Sequence, residues 1–255
     1  MIQNGPWQWL SDLGIATRFL TRLRLPAGWQ PDDRPLATAV LGFPLVGVLV
    51  GLVGGLVFFL ALWIGLPPLP AAVLAVASQV LATGALHEDG LGDFCDGLGG
   101  GASRSAQLAI MHDSRAGNYA IVALVLVLAM RVGTVAGLGD AGAVLAALVG
   151  AGAVSRVAAV WLMNRLPAAR DDGLSHASGR PDDQLTWLAT ALAAAIGWLA
   201  VGFWAGIVAF LVAGVITVWL GWVANRKLGG QTGDVLGAGQ QLVEVGVLAA
   251  VLSVA

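Results

Sequence analysis

Charge is what this 255-residue chain has least of: 11% of its residues are charged, against 58% hydrophobic. A soluble domain carries roughly 25% charged residues. The mean hydropathy of +0.83 therefore excludes a water-soluble enzyme, a disordered chain and an ordinary nucleic-acid binder, and leaves the bilayer as the solvent. Cysteine is nearly absent. The single Cys95 excludes an intrachain disulfide and a multi-cysteine metal site. There is no basic excess: 13 basic against 15 acidic residues give a net charge of −2, so no polyanion partner is indicated. The first residues, MIQNGPWQWLSDLG, lack a basic start followed by a long apolar run, so no cleavable leader is expected. No internal repeat and no shift in composition divides the chain, and residues 1–255 read as one domain.

Long apolar runs are what the chain does have. A helical span needs about 20 apolar residues. Runs occupy 45–64, 71–86, 119–138 and 142–162. The stretch 186–224 is long enough for two, with a break between Gly202 and Gly206, and a last run covers 241–255. The expected fold is all-α and polytopic, with about seven transmembrane helices. Residues 7–24 mix Trp7, Trp9, Leu10, Leu13, Leu20 and Leu23 with Arg18, Arg22 and Arg24, and read as an amphipathic helix lying at the interface. Eleven of the 13 basic residues fall in the N-terminal segment and the loops 87–118, 163–185 and 225–240, all on one side of this arrangement. By the positive-inside rule that side is cytoplasmic. The other two, Arg131 and Arg156, lie inside spans. Arg156 is near enough to a span end to snorkel, whereas Arg131 is deeper and calls for a partner such as a carboxylate on another helix.

The loop after the second run reads HEDGLGDFCDGLGGG and places Glu88, Asp89, Asp93 and Asp96 within nine residues. In a helix Asp89, Asp93 and Asp96 fall at i, i+4 and i+7 on one face, about 5–6 Å apart at Cβ. Like charges this close repel unless a cation sits between them. Mg²⁺ takes hard oxygen ligands, usually one or two carboxylates plus substrate phosphates. The competing reading is a solvated acidic loop, but no lysine or arginine lies between residues 35 and 103 to offset these acids. Gly97 and Gly99–Gly101 follow and could let backbone approach a phosphate, although no Walker pattern is present. Further on, IMHDSRAG offers Asp113 as an added ligand and Arg115 as a bidentate phosphate donor. A plain Asp113–Arg115 surface pair is the alternative. His87 and His112 flank the cluster as possible bases. Before the last run, NRKLGGQTGDVLGA sets Gln231, Thr232 and Asp234 among glycines, as a second half-site or as an ordinary turn.

Together these motifs make the chain resemble the cobalamin synthase family, the adenosylcobinamide-GDP ribazoletransferases, over nearly its whole length. The resemblance rests on FLTRLRLP at 19–26, GFPLVGVLVG at 42–51, HEDGLGDFCDG at 87–97, IMHDSRAG at 110–117, Ser155-Arg156 and LGGQTGDVLGA at 228–238, in that order. Gly92 departs from it, since alanine is common there. The resemblance implies a multi-pass enzyme of the bacterial cytoplasmic (inner) membrane, with its N-terminus and active site cytoplasmic. It would join adenosylcobinamide-GDP to α-ribazole or α-ribazole 5′-phosphate and release GMP, with Mg²⁺ required. Carried over residue by residue, it implies Asp89, Asp93, Asp96, His87 and Asp113 as catalytic and Glu88, Asp89, Asp93 and Asp96 as metal ligands. Arg22, Arg115, Gln231, Thr232 and Asp234 would bind substrate. The partners would be these substrates and the lipid bilayer, without nucleic acid; an oligomer is compatible with all of this.

Two other classes compete. A CDP-alcohol phosphotransferase shares spans and clustered aspartates, but its motif places Ala-Arg after DGxx, where this chain has Asp93-Phe94. An ion-coupled transporter would favour acids at the bilayer midplane and inverted repeats; these acids lie at the rim and no repeat shows.

Overall fold

The computed structural model describes residues 8–26, 29, 31, 33–113, 115–171 and 177–254, except for the side chain of Gln8. Ten helices organise them: α1 Gln8–Leu20, α2 Gly42–Trp63, α3 Pro68–Thr83, α4 Leu86–Gly100, α5 Arg104–Ile110, α6 Asn118–Leu138, α7 Ala141–Arg165, α8 Asp183–Val201, α9 Phe203–Leu228 and α10 Gly233–Val254. No strand occurs among the described residues, and a single isolated bridge joins Ala168 to Gln231.

Six of these helices, α2, α6, α7, α8, α9 and α10, are long and apolar enough to cross a bilayer. The chain is a polytopic all-α membrane protein. The seventh expected span takes another form. At 16 residues, α3 reaches only about 24 Å, short of a hydrocarbon core of about 30 Å. It is long and apolar enough to cross only together with α4, from which it is bent by 88°. The corner consists of Gly84 (φ +67°) and Ala85 (φ +59°), two successive left-handed residues. Ala85 is the one non-glycine residue with positive φ among those described, a conformation that costs alanine about 1–2 kcal/mol. The break at Gly202 (φ +84°) separates α8 from α9 as expected. By contrast α10 starts at Gly233, eight residues before the expected 241. Its first two turns hold Asp234, three glycines and Gln240, which read as loop by composition yet fold as helix because most of them are packed inside protein.

The N-terminal helix is shorter than expected, Gln8–Leu20 rather than 7–24; Trp7 and Ala255 lie outside the described residues. Its Ile15, Ala16 and Leu20 pack under the start of α2, while Trp9 and Arg18 stay exposed. Glycine decides how closely the central helices approach. A Cβ on Gly47 would overlap the carbonyl of Gly152, and one on Gly51 would lie 2.6 Å from the carbonyl oxygen of Leu148. So α2 and α7 touch backbone to backbone, as small residues permit in membranes. α7 and α10 are mostly enclosed by the other helices, and α6, α8 and α9 present most of their surface outward.

Candidate active site

The acidic segment is helical, so its residues separate by direction. Asp89 and Asp93 share the open face of α4; Asp89 is exposed and Asp93 half-buried. Neither carboxylate has a hydrogen-bond or ion-pair partner among the described residues. Asp96 is buried one turn further on and takes a different task. Its carboxylate accepts from the backbone N–H of Gly117 (2.5 Å) and of Ala120 (3.0 Å), two of the free donors at the start of α6. An Asp in this place caps a helix and steadies its dipole.

Glu88 turns the opposite way, into the bundle. Its Oε1 accepts from Arg131 (2.9 Å) and from Gln241 (3.0 Å). Arg131 also donates to Glu244 Oε1 (2.9 Å) and to Gln79 Oε1 (3.0 Å). The deep arginine thus pairs with carboxylates on two other helices. Gln240 extends this network, donating to Ser155 Oγ (3.1 Å) and to Glu244. Arg156 does not snorkel. α7 continues nine residues beyond it to Arg165, and Arg156 stays buried, donating to the Gly152 carbonyl (2.9 Å). Such charges are tolerated in a bilayer only when paired or facing a polar interior. α4 is therefore anchored at its inner end by Glu88 and at its outer end by Asp96, and Asp89 and Asp93 are free between them.

The second motif meets this face. Gly229 (φ +75°) ends α9. A Cβ on Gly230 would overlap the carbonyl of Pro167. Gln231, buried, donates its N–H to the Pro167 carbonyl (2.8 Å) and accepts from Ala169 N–H (2.9 Å). Thr232, also buried, caps α10: its Oγ1 accepts from Val235 N–H (3.3 Å) and donates to Asp234 Oδ2 (3.2 Å). From this fixed start α10 runs against α4 at two glycines. A Cβ on Gly90 would lie 3.1 Å from Asp234 Cα and 3.2 Å from Gly237 Cα. The close approach brings Asp234 within electrostatic reach of Asp89 and Asp93.

A cleft of about 200 Å³ opens here, walled by Phe19, His87, Asp89, Gly90, Met163 and Asp234. His87 is buried in that wall. A second cavity of about 520 Å³ adjoins it through Asp89 and carries Arg18 and Arg22 on its other side. Arg22 is held there by its N–H bond to the Ala82 carbonyl (2.7 Å) and by packing on Gly84. Arg170 faces Asp93 and Asp234 electrostatically, anchored by a hydrogen bond to the Leu108 carbonyl. Arg104 staples the same region by donating to the carbonyls of Leu228 and Ala169, 2.7 Å each.

Asp113 and Arg115 line neither of these cavities. They pair with each other, Arg115 Nη2 to Asp113 Oδ2 at 2.7 Å, and Arg115 is largely exposed. The hydrogen-bonded Arg115 guanidinium holds the Asp113 carboxyl below the usual carboxylate range. Sequence reasoning passed over Arg170, Gln79, Gln240, Gln241 and Glu244. The signal for Glu244 was available: it is the single acid within the last expected run, and Arg131 called for a carboxylate. Nothing local marked Arg170.

The donor chemistry fits a hard divalent cation. No three acidic, histidine or cysteine side chains among the described residues close into a ready metal cage. Asp89 and Asp93 supply two free carboxylates, the number Mg²⁺ usually takes when phosphates complete its shell, with Asp234 beside them.

Fold and site together define a polytopic membrane protein whose two glycine-bearing motifs build one acidic, arginine-flanked cleft. The family model described as cobalamin-5-phosphate synthase matches residues 12–252. Proteins named adenosylcobinamide-GDP ribazoletransferase are similar over most of the chain. The one from Mesorhizobium japonicum is 44% identical, covering 96% of this chain and 93% of its own. That from Azorhizobium caulinodans is 43% identical over 95% and 96%, and that from Bradyrhizobium diazoefficiens 39% over 94% and 92%. No solved structure matches. The chain belongs to the cobalamin-5-phosphate synthase family.

Proposed function

We propose that this protein is an adenosylcobinamide-GDP ribazoletransferase, joining α-ribazole or its 5′-phosphate to adenosylcobinamide-GDP with release of GMP. The reading rests on its family and on the name its relatives carry. The observation that carries the site assignment is the Gly90–Gly237 contact, which joins two motifs far apart in sequence into one cleft.

The ribose hydroxyl attacks the phosphorus that bears the aminopropanol arm, and GMP leaves from the opposite side. The protein's part in such a transfer is alignment and charge neutralisation. Asp89 and Asp93, with Asp234 in support, would hold Mg²⁺, which when bound supplies charge neutralisation at the diphosphate. Arg22 and Arg18 face the same place across the adjoining cavity and bind diphosphate oxygens. Arg170 offsets the carboxylates at the rim. His87, buried in the cleft wall, is positioned to take the hydroxyl proton. Glu88 and Asp96 serve as anchors of α4 rather than as ligands: both Asp96 oxygens accept backbone N–H groups, and Glu88 is turned into the bundle, where its Oε1 accepts from Arg131 and Gln241. The basic loops, by the positive-inside rule, support a cleft on the cytoplasmic face of the inner membrane.

GMP release from adenosylcobinamide-GDP by the purified protein, with each acceptor offered separately, tests this reading. Acceptor-dependent GMP release supports it. Its absence with both acceptors and Mg²⁺ present would overturn it.

A further inference from the structure

A groove of about 540 Å³ lies away from the acidic cleft, between α7 and α9 with Thr190 of α8 at its side. Apolar residues line most of it, from Val154 and Phe210 at one end to Trp161 and Trp222 near the other. Arg165 and Asn225 stand at that second end, where the basic loops begin. From Val154 to Arg165 is 11 residues of α7, about 16 Å of helix. That is the depth of one leaflet's hydrocarbon, about half of the 30 Å core.

Arg165 lines this mouth, and Arg226 lies beside it over a ring that does. The Arg165 guanidinium lies 5.1 Å from the centre of the Trp161 ring, and that of Arg226 lies 5.3 Å from the Trp222 ring. Trp161 is itself fixed by a 2.9 Å hydrogen bond to Thr190 and an edge-on contact with Trp187. Neither arginine pairs with a carboxylate among the described residues. A slot one leaflet deep, apolar below and cationic at its mouth, matches a phospholipid, and the two arginines favour one whose headgroup carries net negative charge. We propose that the groove binds an anionic phospholipid, one acyl chain lying along α7 and α9 and its phosphate meeting Arg165 and Arg226. Basic pockets between transmembrane helices take anionic headgroups in this way. The site is separate from the acidic cleft and does not depend on the reaction assigned there.

Spin-labelled lipids in nanodiscs test the proposal. At equal mole fraction, chain-labelled phosphatidylglycerol should show more motionally restricted signal than chain-labelled phosphatidylcholine. The double variant Arg165→Gln/Arg226→Gln should lose that preference, by about fivefold for each arginine. Gly214 borders the groove, and a Cβ there would meet nothing within 4 Å. Gly214→Phe, whose Cβ has open space, should occupy the groove and remove the site-bound signal for both lipids. Equal binding of the two lipids, or a preference unchanged in the double variant, would overturn the proposal. So would efficient cross-linking between two copies through a cysteine at Val218, which would show the groove covered by protein.

Discussion

Gly90 and Gly237 face each other where α4 crosses α10, so near that a Cβ on either would stand 3.2 Å from the other's Cα. The obstacle on each side is backbone, which cannot rotate away. This contact sets the distance between the Asp89–Asp93 face and Asp234. Gly90→Ala should cost about 1–3 kcal/mol of stability, as overpacking does. It should also lower turnover far more than Gly92→Ala, whose Cβ would meet only the methyl of Ala120, at 3.3 Å, and a Leu124 methyl at 3.7 Å. Melting in detergent and GMP release, measured on both variants, check this.

The buried arginine separates anchoring from ligation. Arg131→Leu leaves Glu88 and Glu244 enclosed without their cation and should cost about 3–5 kcal/mol. Glu88→Gln keeps the Glu244 pair and should cost less, while leaving the Mg²⁺ concentration for half-maximal activity unchanged. A raised Mg²⁺ requirement in Glu88→Gln would return Glu88 to the metal.

Asp113 and Arg115 form an exposed pair with each other. Exposed pairs contribute little to stability. Asp113→Asn and Arg115→Gln should each melt like the parent protein and retain turnover within about twofold. A loss of orders of magnitude in either would bring this loop into the active site.

The side of the membrane is testable with two labels. Only Cys95 must be replaced to make a cysteine-free background. Single cysteines at Ser105 and Leu69, both exposed, should react with an impermeant maleimide from opposite faces, Ser105 from the cytoplasm. Labelling of both from one face would refute the orientation.

Most of the fold was legible because bilayer spans are written in composition. The runs at 45–64, 119–138 and 142–162 became α2, α6 and α7 with small shifts at their ends. The bend at Gly84–Ala85 was not legible, since an alanine forced into the left-handed region carries no local mark. The early start of α10 was hidden because its polar and glycine residues read as loop until their burial against α4 is known. At the site, helical spacing brought Asp89 and Asp93 together correctly. It could not tell that Asp96 would meet the first N–H groups of α6 or that Glu88 would turn toward Arg131. Those two roles depend on partners at least 21 residues away.

Asp234 is proposed to work in one site with Asp89 and Asp93. GMP release as a function of Mg²⁺, compared between parent protein, Asp93→Asn and Asp234→Asn, addresses it most directly. The expected result is a loss of about two orders of magnitude in each variant, with the residual activity of both demanding more Mg²⁺. Parent-like kinetics and Mg²⁺ response in Asp234→Asn would contradict the claim, leaving α4 to act without the second motif.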